Sequence, residues 1–161
     1  MRRDDCNINK HFFCKQHDSM MCGVACLQMI CSYYGKKISQ DVLSNICFAT
    51  PEGVSFLGIN ETAVKIGFHT VSRRYTTDGL SVSILPCILH WNQNHFVVLY
   101  KIKKGRKFYI ADPGKGLITY SREEFESHWI STTSDGEGKG IAMFFETTPE
   151  FYTMNTDSED N

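Results

Sequence analysis

Apolar side chains recur at spacings of three and four from residue 22 to 34 (Val24, Leu27, Cys31, Tyr34), a period that predicts a helix with one apolar face. Asp18 or Ser19 can cap its start, and Gly35 can close it in a left-handed turn. Ser39 caps a second, shorter helix through about Ile46, with Val42, Leu43 and Ile46 inward. Ser55 opens a third, with Leu57, Ile59, Ala63, Val64 and Ile66 as apolar positions and Gly67 as its stop. Beyond Gly67 the texture changes. Residues 68–75 read as a strand and 81–85 as a short irregular or helical piece. Residues 87–91, 95–102, 107–111 and 116–120 read as successive strands. Their connections carry turn chemistry: Asn92-Gln93-Asn94, Lys104-Gly105 and Asp112-Pro113-Gly114. Ser121 with Glu124 forms a capping box for a helix ending near Trp129, and 141–145 reads as a last strand.

Helices first and a mostly antiparallel sheet after give an α+β domain. The expected organisation is a flexible N-terminus over 1–10, one folded domain over 11–146, and a polar tail or linker over 147–161. Apolar residues make up 42% and charged residues 22% of the chain, as in a soluble globular protein. A net charge of −1 with no basic stripe points away from nucleic acid as a partner. Lys103, Lys104, Arg106 and Lys107 read as a solvated hairpin tip. No stretch approaches the roughly 18–20 apolar residues of a membrane span, and the N-terminus lacks the apolar segment of a signal peptide. The odd count of seven cysteines, without an export signal, favours a reducing compartment over a disulfide scaffold.

The chemistry gathers in three places. Cys22 opens the first helix, where the dipole and unpaired N–H groups favour a thiolate nucleophile. Gly23 after it would keep a side chain away from a substrate carbonyl. Cys6, Cys14, Cys26, Cys31, Cys47 and Cys87 read as structural thiols, and no zinc-like spacing accompanies the Cys22/Cys26 pair. His95 stands at the mouth of a buried strand, as a general base or the imidazolium half of an ion pair with Cys22; His90 is its nearest rival. Asp112, one hairpin further on, can orient His95 through the far ring nitrogen. Gln16 can donate its amide to an oxyanion, with the Cys22 backbone N–H as second donor. Cys on the helical half, with His and acid on the sheet half, is a papain-like arrangement.

These residues carry a resemblance. Gln16-x5-Cys22-Gly23-x-Ala25-Cys26-Leu27-x-Met29-Ile30-x2-Tyr33-Tyr34-Gly35, then His95-Phe96-Val97-Val98, then Ile110-Ala111-Asp112-Pro113, resemble the motifs of the papain-like peptidase domain of bacteriocin-processing ABC transporters. The resemblance runs from about 12 to 146. It implies a cysteine endopeptidase with a papain-like fold that cuts the leader of a secreted peptide after Gly-Gly or Gly-Ala. Cys22 would be the nucleophile, His95 the base, Asp112 the orienting acid and Gln16 the oxyanion donor. It implies no cofactor or metal for the cleavage, ATP being used by transporter domains this chain lacks. The implied partners are a leader-bearing precursor peptide and the transmembrane and nucleotide-binding domains of an ABC transporter. The implied location is the cytoplasmic face of the bacterial inner membrane, this fragment itself being soluble. The exposed faces of the 54–67 helix are a candidate for part of an apolar patch that docks an amphipathic leader. The family commonly has an acidic residue where this chain has Met21. The alternatives are a non-catalytic cargo-docking domain of a type I secretion transporter, and another Cys-His-Asp acyl-transfer enzyme such as a transglutaminase-like protein.

Overall fold

A seven-stranded antiparallel sheet takes up most of the chain beyond Gly67. The computed structural model describes residues 13–16, 21–47 and 55–153. Three helices come first: α1 (Cys22–Tyr33), α2 (Gln40–Ile46) and α3 (Phe56–Ile66). Then follow β1 (Phe68–Tyr75), α4 (Thr77–Ser81), β2 (Cys87–Trp91), β3 (His95–Lys103), β4 (Lys107–Asp112) and β5 (Gly116–Ser121). The described chain closes with α5 (Arg122–Trp129), β6 (Thr132–Ser134), β7 (Glu137–Thr147) and α6 (Pro149–Thr153). The strand order is β1-β7-β2-β3-β4-β5, with β6 paired to β7.

Local sequence explains most boundaries. The Ser39, Ser55 and Ser121 hydroxyls accept from the third helical N–H of α2, α3 and α5, and Glu124 completes the capping box. Gly67 ends α3 at φ 117°, a left-handed position that disfavours any residue with a Cβ. The sheet is covered on both faces, which is why β2 and β3 carry nearly continuous apolar runs. On one face α1 and α3 pack over Ile88, Phe96, Val98, Ala111 and Met143. On the other, Phe125 and Trp129 of α5 pack over Leu89, Trp91, Val97, Leu99, Phe108 and Ile110.

Several expectations need correction. Helix α1 is buried on nearly every side, Met29 and Ile30 included, because it lies between α2, α3 and β3. Of the five apolar α3 positions read from sequence, Leu57 and Val64 are 65% and 52% exposed, while Ile59, Ala63 and Ile66 face the core with Thr62. The piece read at 81–85 is a helix over Thr77–Ser81, capped by Thr76. The last strand is longer than 141–145, and β6 precedes it. Its Gly138 and Gly140 disguise a strand, yet they make room for Ile130 and for the Trp129 ring. Residues 149–153 are not a tail: Phe151 is fully buried, its ring 4.6 Å from that of Phe68. Thr148 donates to the Gly67 carbonyl through its N–H at 3.0 Å and its hydroxyl at 2.6 Å.

Candidate active site

Cys22 is the first residue of α1, and Met21 is the N-cap residue, with no side-chain cap. The Asp18 and Ser19 caps expected from sequence lie outside the described residues, as do His17 and Cys6. The first intrahelical bond runs from the Ala25 N–H to the Met21 carbonyl at 2.8 Å. The N–H groups of Cys22, Gly23 and Val24 therefore precede the helical ladder, at the positive end of the dipole.

His95 follows a tight turn in which Asn92 and Gln93 adopt φ of 50° and 70°. Asp112 is the last residue of β4. Because β3 and β4 are antiparallel neighbours, the start of one meets the end of the other. His95 Nε2 lies 2.8 Å from Asp112 Oδ1, and the Cys22 side chain acts on the same imidazole. The Asp112 side chain is 2% exposed and that of His95 25%, so the imidazole reaches solvent and the carboxylate does not.

The electrostatics follow from these contacts. Burial pulls the imidazole pKa down, but hydrogen bonds to Asp112 and Cys22, with their charges, outweigh it and push His95 up to about 9. Burial also works to raise Asp112, yet the His95 hydrogen bond and the Gly114 N–H, at 2.9 Å from Oδ1, hold it below the ordinary carboxylate value. His95 is thus an imidazolium at neutral pH, paired with a carboxylate behind it and a thiol in front. That pairing places a proton donor for a leaving group beside the Cys22 sulfur.

Gln16 sits against the β4–β5 turn, its N–H donating to the Pro113 carbonyl at 3.0 Å. A Cβ on Gly114 would stand 3.3 Å from Gln16 Oε1 and 3.5 Å from Asp112 Oδ1. The three residues therefore share one shelf, and Gly114, which sequence marked only as a turn residue, keeps it open. Gly23 also has a packing role that sequence did not show. A side chain there would meet Ile59 Cδ1 at 2.9 Å and Phe96 at 3.5 Å, so the glycine lets α1 approach α3 and β3.

The other candidates stand apart. Cys26 is fully buried, and burial first, then the charges of Cys22, Asp112 and Cys14, push its thiol well up. Burial likewise raises Cys14 to about 11 and Cys31 to about 12. Cys22, Cys26, Cys31, Cys47 and Cys87 are free thiols. His90 lies among aromatic rings, 5.5 Å from Phe96 and 6.2 Å from Phe56. His128 of α5, for which sequence offered no context, stacks on Trp91 at 5.0 Å, with Nδ1 2.9 Å from Asn92 Oδ1. Its carbonyl accepts from the Asn92 N–H at 2.9 Å, so α5 grips the turn that carries His95. Only the fold could reveal it, since 36 residues separate the partners. Among the described residues no group of three or more His, Cys, Asp or Glu side chains is placed to hold a metal ion.

Comparison with known proteins bears on this geometry. The Peptidase C39 family model matches residues 10–134. The colicin V secretion/processing ATP-binding protein CvaB of Escherichia coli is 38% identical over 114 residues, 71% of this chain and 16% of that protein. The lactococcin-G-processing and transport ATP-binding protein LagD of Lactococcus lactis is 35% identical over 120 residues, 71% of this chain and 17% of that protein. The chain thus spans about a sixth of these relatives' length. A crystal structure of a double glycine motif protease from an AMS/PCAT transporter, in complex with the leader peptide, matches at TM-score 0.72 and 33% identity, covering 84% of this chain and 91% of that one. The peptidase domain of Streptococcus ComA, a bi-functional ABC transporter, matches at TM-score 0.72 and 26% identity, covering 86% and 99%.

Proposed function

This chain belongs to the peptidase C39 family of cysteine proteases, with their papain-like fold, and we propose that it cuts leader peptides after a double-glycine motif through Cys22, His95, Asp112 and Gln16. The observation that carries the residue roles is the 2.8 Å His95–Asp112 contact beside Cys22 at the start of α1. The Cys22 thiolate attacks the carbonyl of the second glycine. The oxyanion is met by the Cys22 N–H and the Gln16 amide, each such donor being worth ~2.7–4 kcal/mol in the transition state. His95 gives its proton to the leaving amine, and the C–N bond breaks to leave a thioester. His95, now neutral, takes a proton from water, which attacks the thioester and frees the leader. Asp112 holds the imidazole in one tautomer throughout. No metal or organic cofactor enters this scheme.

The relatives' names, which couple secretion or transport with processing, support a place beside the membrane and nucleotide-binding parts of an exporter, on the side where precursor peptides are made. Among the described residues no helix is long and apolar enough to cross a membrane, so such an anchor would come from outside them. The test is incubation with a synthetic double-glycine leader peptide and mass analysis of the products. A single cut after the second glycine, lost when that glycine is replaced by valine, supports the reading. Binding without cleavage would favour a docking module, and cutting at unrelated bonds would remove the glycine specificity.

A further inference from the structure

The pole of the sheet opposite the cleft carries charge that the cleavage scheme does not use. Lys101, Lys103, Lys104, Arg106 and Lys107 place five of the chain's 17 Lys and Arg in seven positions, and no Asp or Glu occurs between Asp78 and Asp112. Lys103, Lys104, Arg106 and Lys107, with Thr119, Tyr120 and Ser121, line a cavity of about 560 Å³. Among the described residues none of these four cations forms an ion pair. Three carboxylates of the neighbouring helices are engaged elsewhere: Asp78 and Glu126 hold Arg122 at 3.0 and 3.2 Å, and Glu124 accepts from the Ser121 N–H at 2.9 Å, while Glu123 is exposed. Lys101 lies over the Tyr109 ring at 5.1 Å. Like charges this dense repel one another unless an external anion joins them.

We propose that this hairpin pole is a binding surface for the phosphate headgroups of an anionic bilayer. Arg106 offers a planar fork suited to phosphate oxygens, the lysines offer mobile point charges, and the hydroxyls of Thr119, Tyr120 and Ser121 add donors. The cations stand at an open hairpin end, a shape that meets a surface more readily than it encloses a small molecule. Strand β3 separates Lys103 from His95 by eight residue steps, about 27 Å at a strand's rise. A bilayer held at this pole would leave the cleft facing away from it and open to a peptide. The choice of a bilayer over a soluble phosphate rests on the exporter reading above, which puts a membrane beside the domain.

The experiment is flotation of the whole chain with vesicles of phosphatidylcholine alone and of phosphatidylcholine mixed with phosphatidylglycerol. A tip variant, K103E/K104E/R106E, is compared with K37E/R73E/R74E, which changes net charge equally on other exposed surfaces. The wild type and the control should float with the anionic vesicles only. The tip variant should lose at least tenfold in partitioning, and all three should cut a soluble leader peptide alike. Binding should vanish near 1 M salt, where the screening length is about 3 Å. Equal loss in both variants would reduce the effect to net charge and overturn the proposal. So would equal binding to the two vesicle types, or displacement by inorganic phosphate at matched ionic strength, which would mark a site for free phosphate. Lost cleavage with intact flotation counts against the peptidase reading alone.

Discussion

At the scale of single residues, His95 holds its charge because a carboxylate 2% exposed stands 2.8 Å behind it. Its pKa is raised from 6.5 to about 9 in the folded protein. The ion pair's contribution to stability is therefore complete below about 6.5 and is lost as pH rises through about 9. The alkaline limb of kcat/KM should lie near the upper value. Asp112→Ala should move that limb down toward the ordinary histidine value and lower kcat by about 10²–10⁴-fold. A pH–rate profile of both proteins, with NMR titration of the imidazole, checks this; an unmoved limb would remove Asp112 from its role. The His95–Asp112 contact was legible because a strand start and the next strand's end, one hairpin apart, must meet. The reasons for Gly23 and Gly114 were not, since Ile59, Phe96 and Gln16, which crowd them, arrive from distant parts of the chain.

At the scale of elements, the turn between β2 and β3 is held from outside by α5. His128→Ala removes the stack on Trp91, about 0.5–1.5 kcal/mol, and the hydrogen bond to Asn92, about 0.5–1.5 kcal/mol. The expected result is a lower Tm together with a kcat loss of up to about 10²-fold, KM for the leader changing little. Steady-state kinetics beside a melting curve would show it, and a Tm drop with unchanged kcat would mean that the turn needs no such support. The short helix α6 belongs to the fold: Phe151→Ala should cost about 3–5 kcal/mol in urea unfolding, whereas a linker residue would cost almost nothing. Sequence located α2, α3, β1, β2 and the start of α5 well, because serine caps, a left-handed glycine and apolar runs are local signals. It missed β6, half of β7 and all of α6, where Gly138, Gly140 and acidic residues disguise segments that depend on Trp129, Ile130 and Phe68 for their burial.

At the scale of the molecule, the order of helices before strands was enough for an α+β domain, and three motifs in order were enough for the papain-like family. The layer on the second face of the sheet was less visible, because α5 is short and shows only Phe125 and Trp129 as buried positions. The two covered faces make the sheet a rigid frame whose one end presents His95 and Asp112 to Cys22 at the start of α1. The account stands on Cys22 being the reactive thiol of that frame. The measurement is iodoacetamide labelling at neutral pH, mapped cysteine by cysteine by peptide mass, in the wild type and in His95→Ala. Cys22 should be alkylated well ahead of Cys14, Cys26 and Cys31, and its lead should shrink when His95 is removed. Labelling of Cys26 as fast as Cys22, or a Cys22 rate indifferent to His95, would contradict the account.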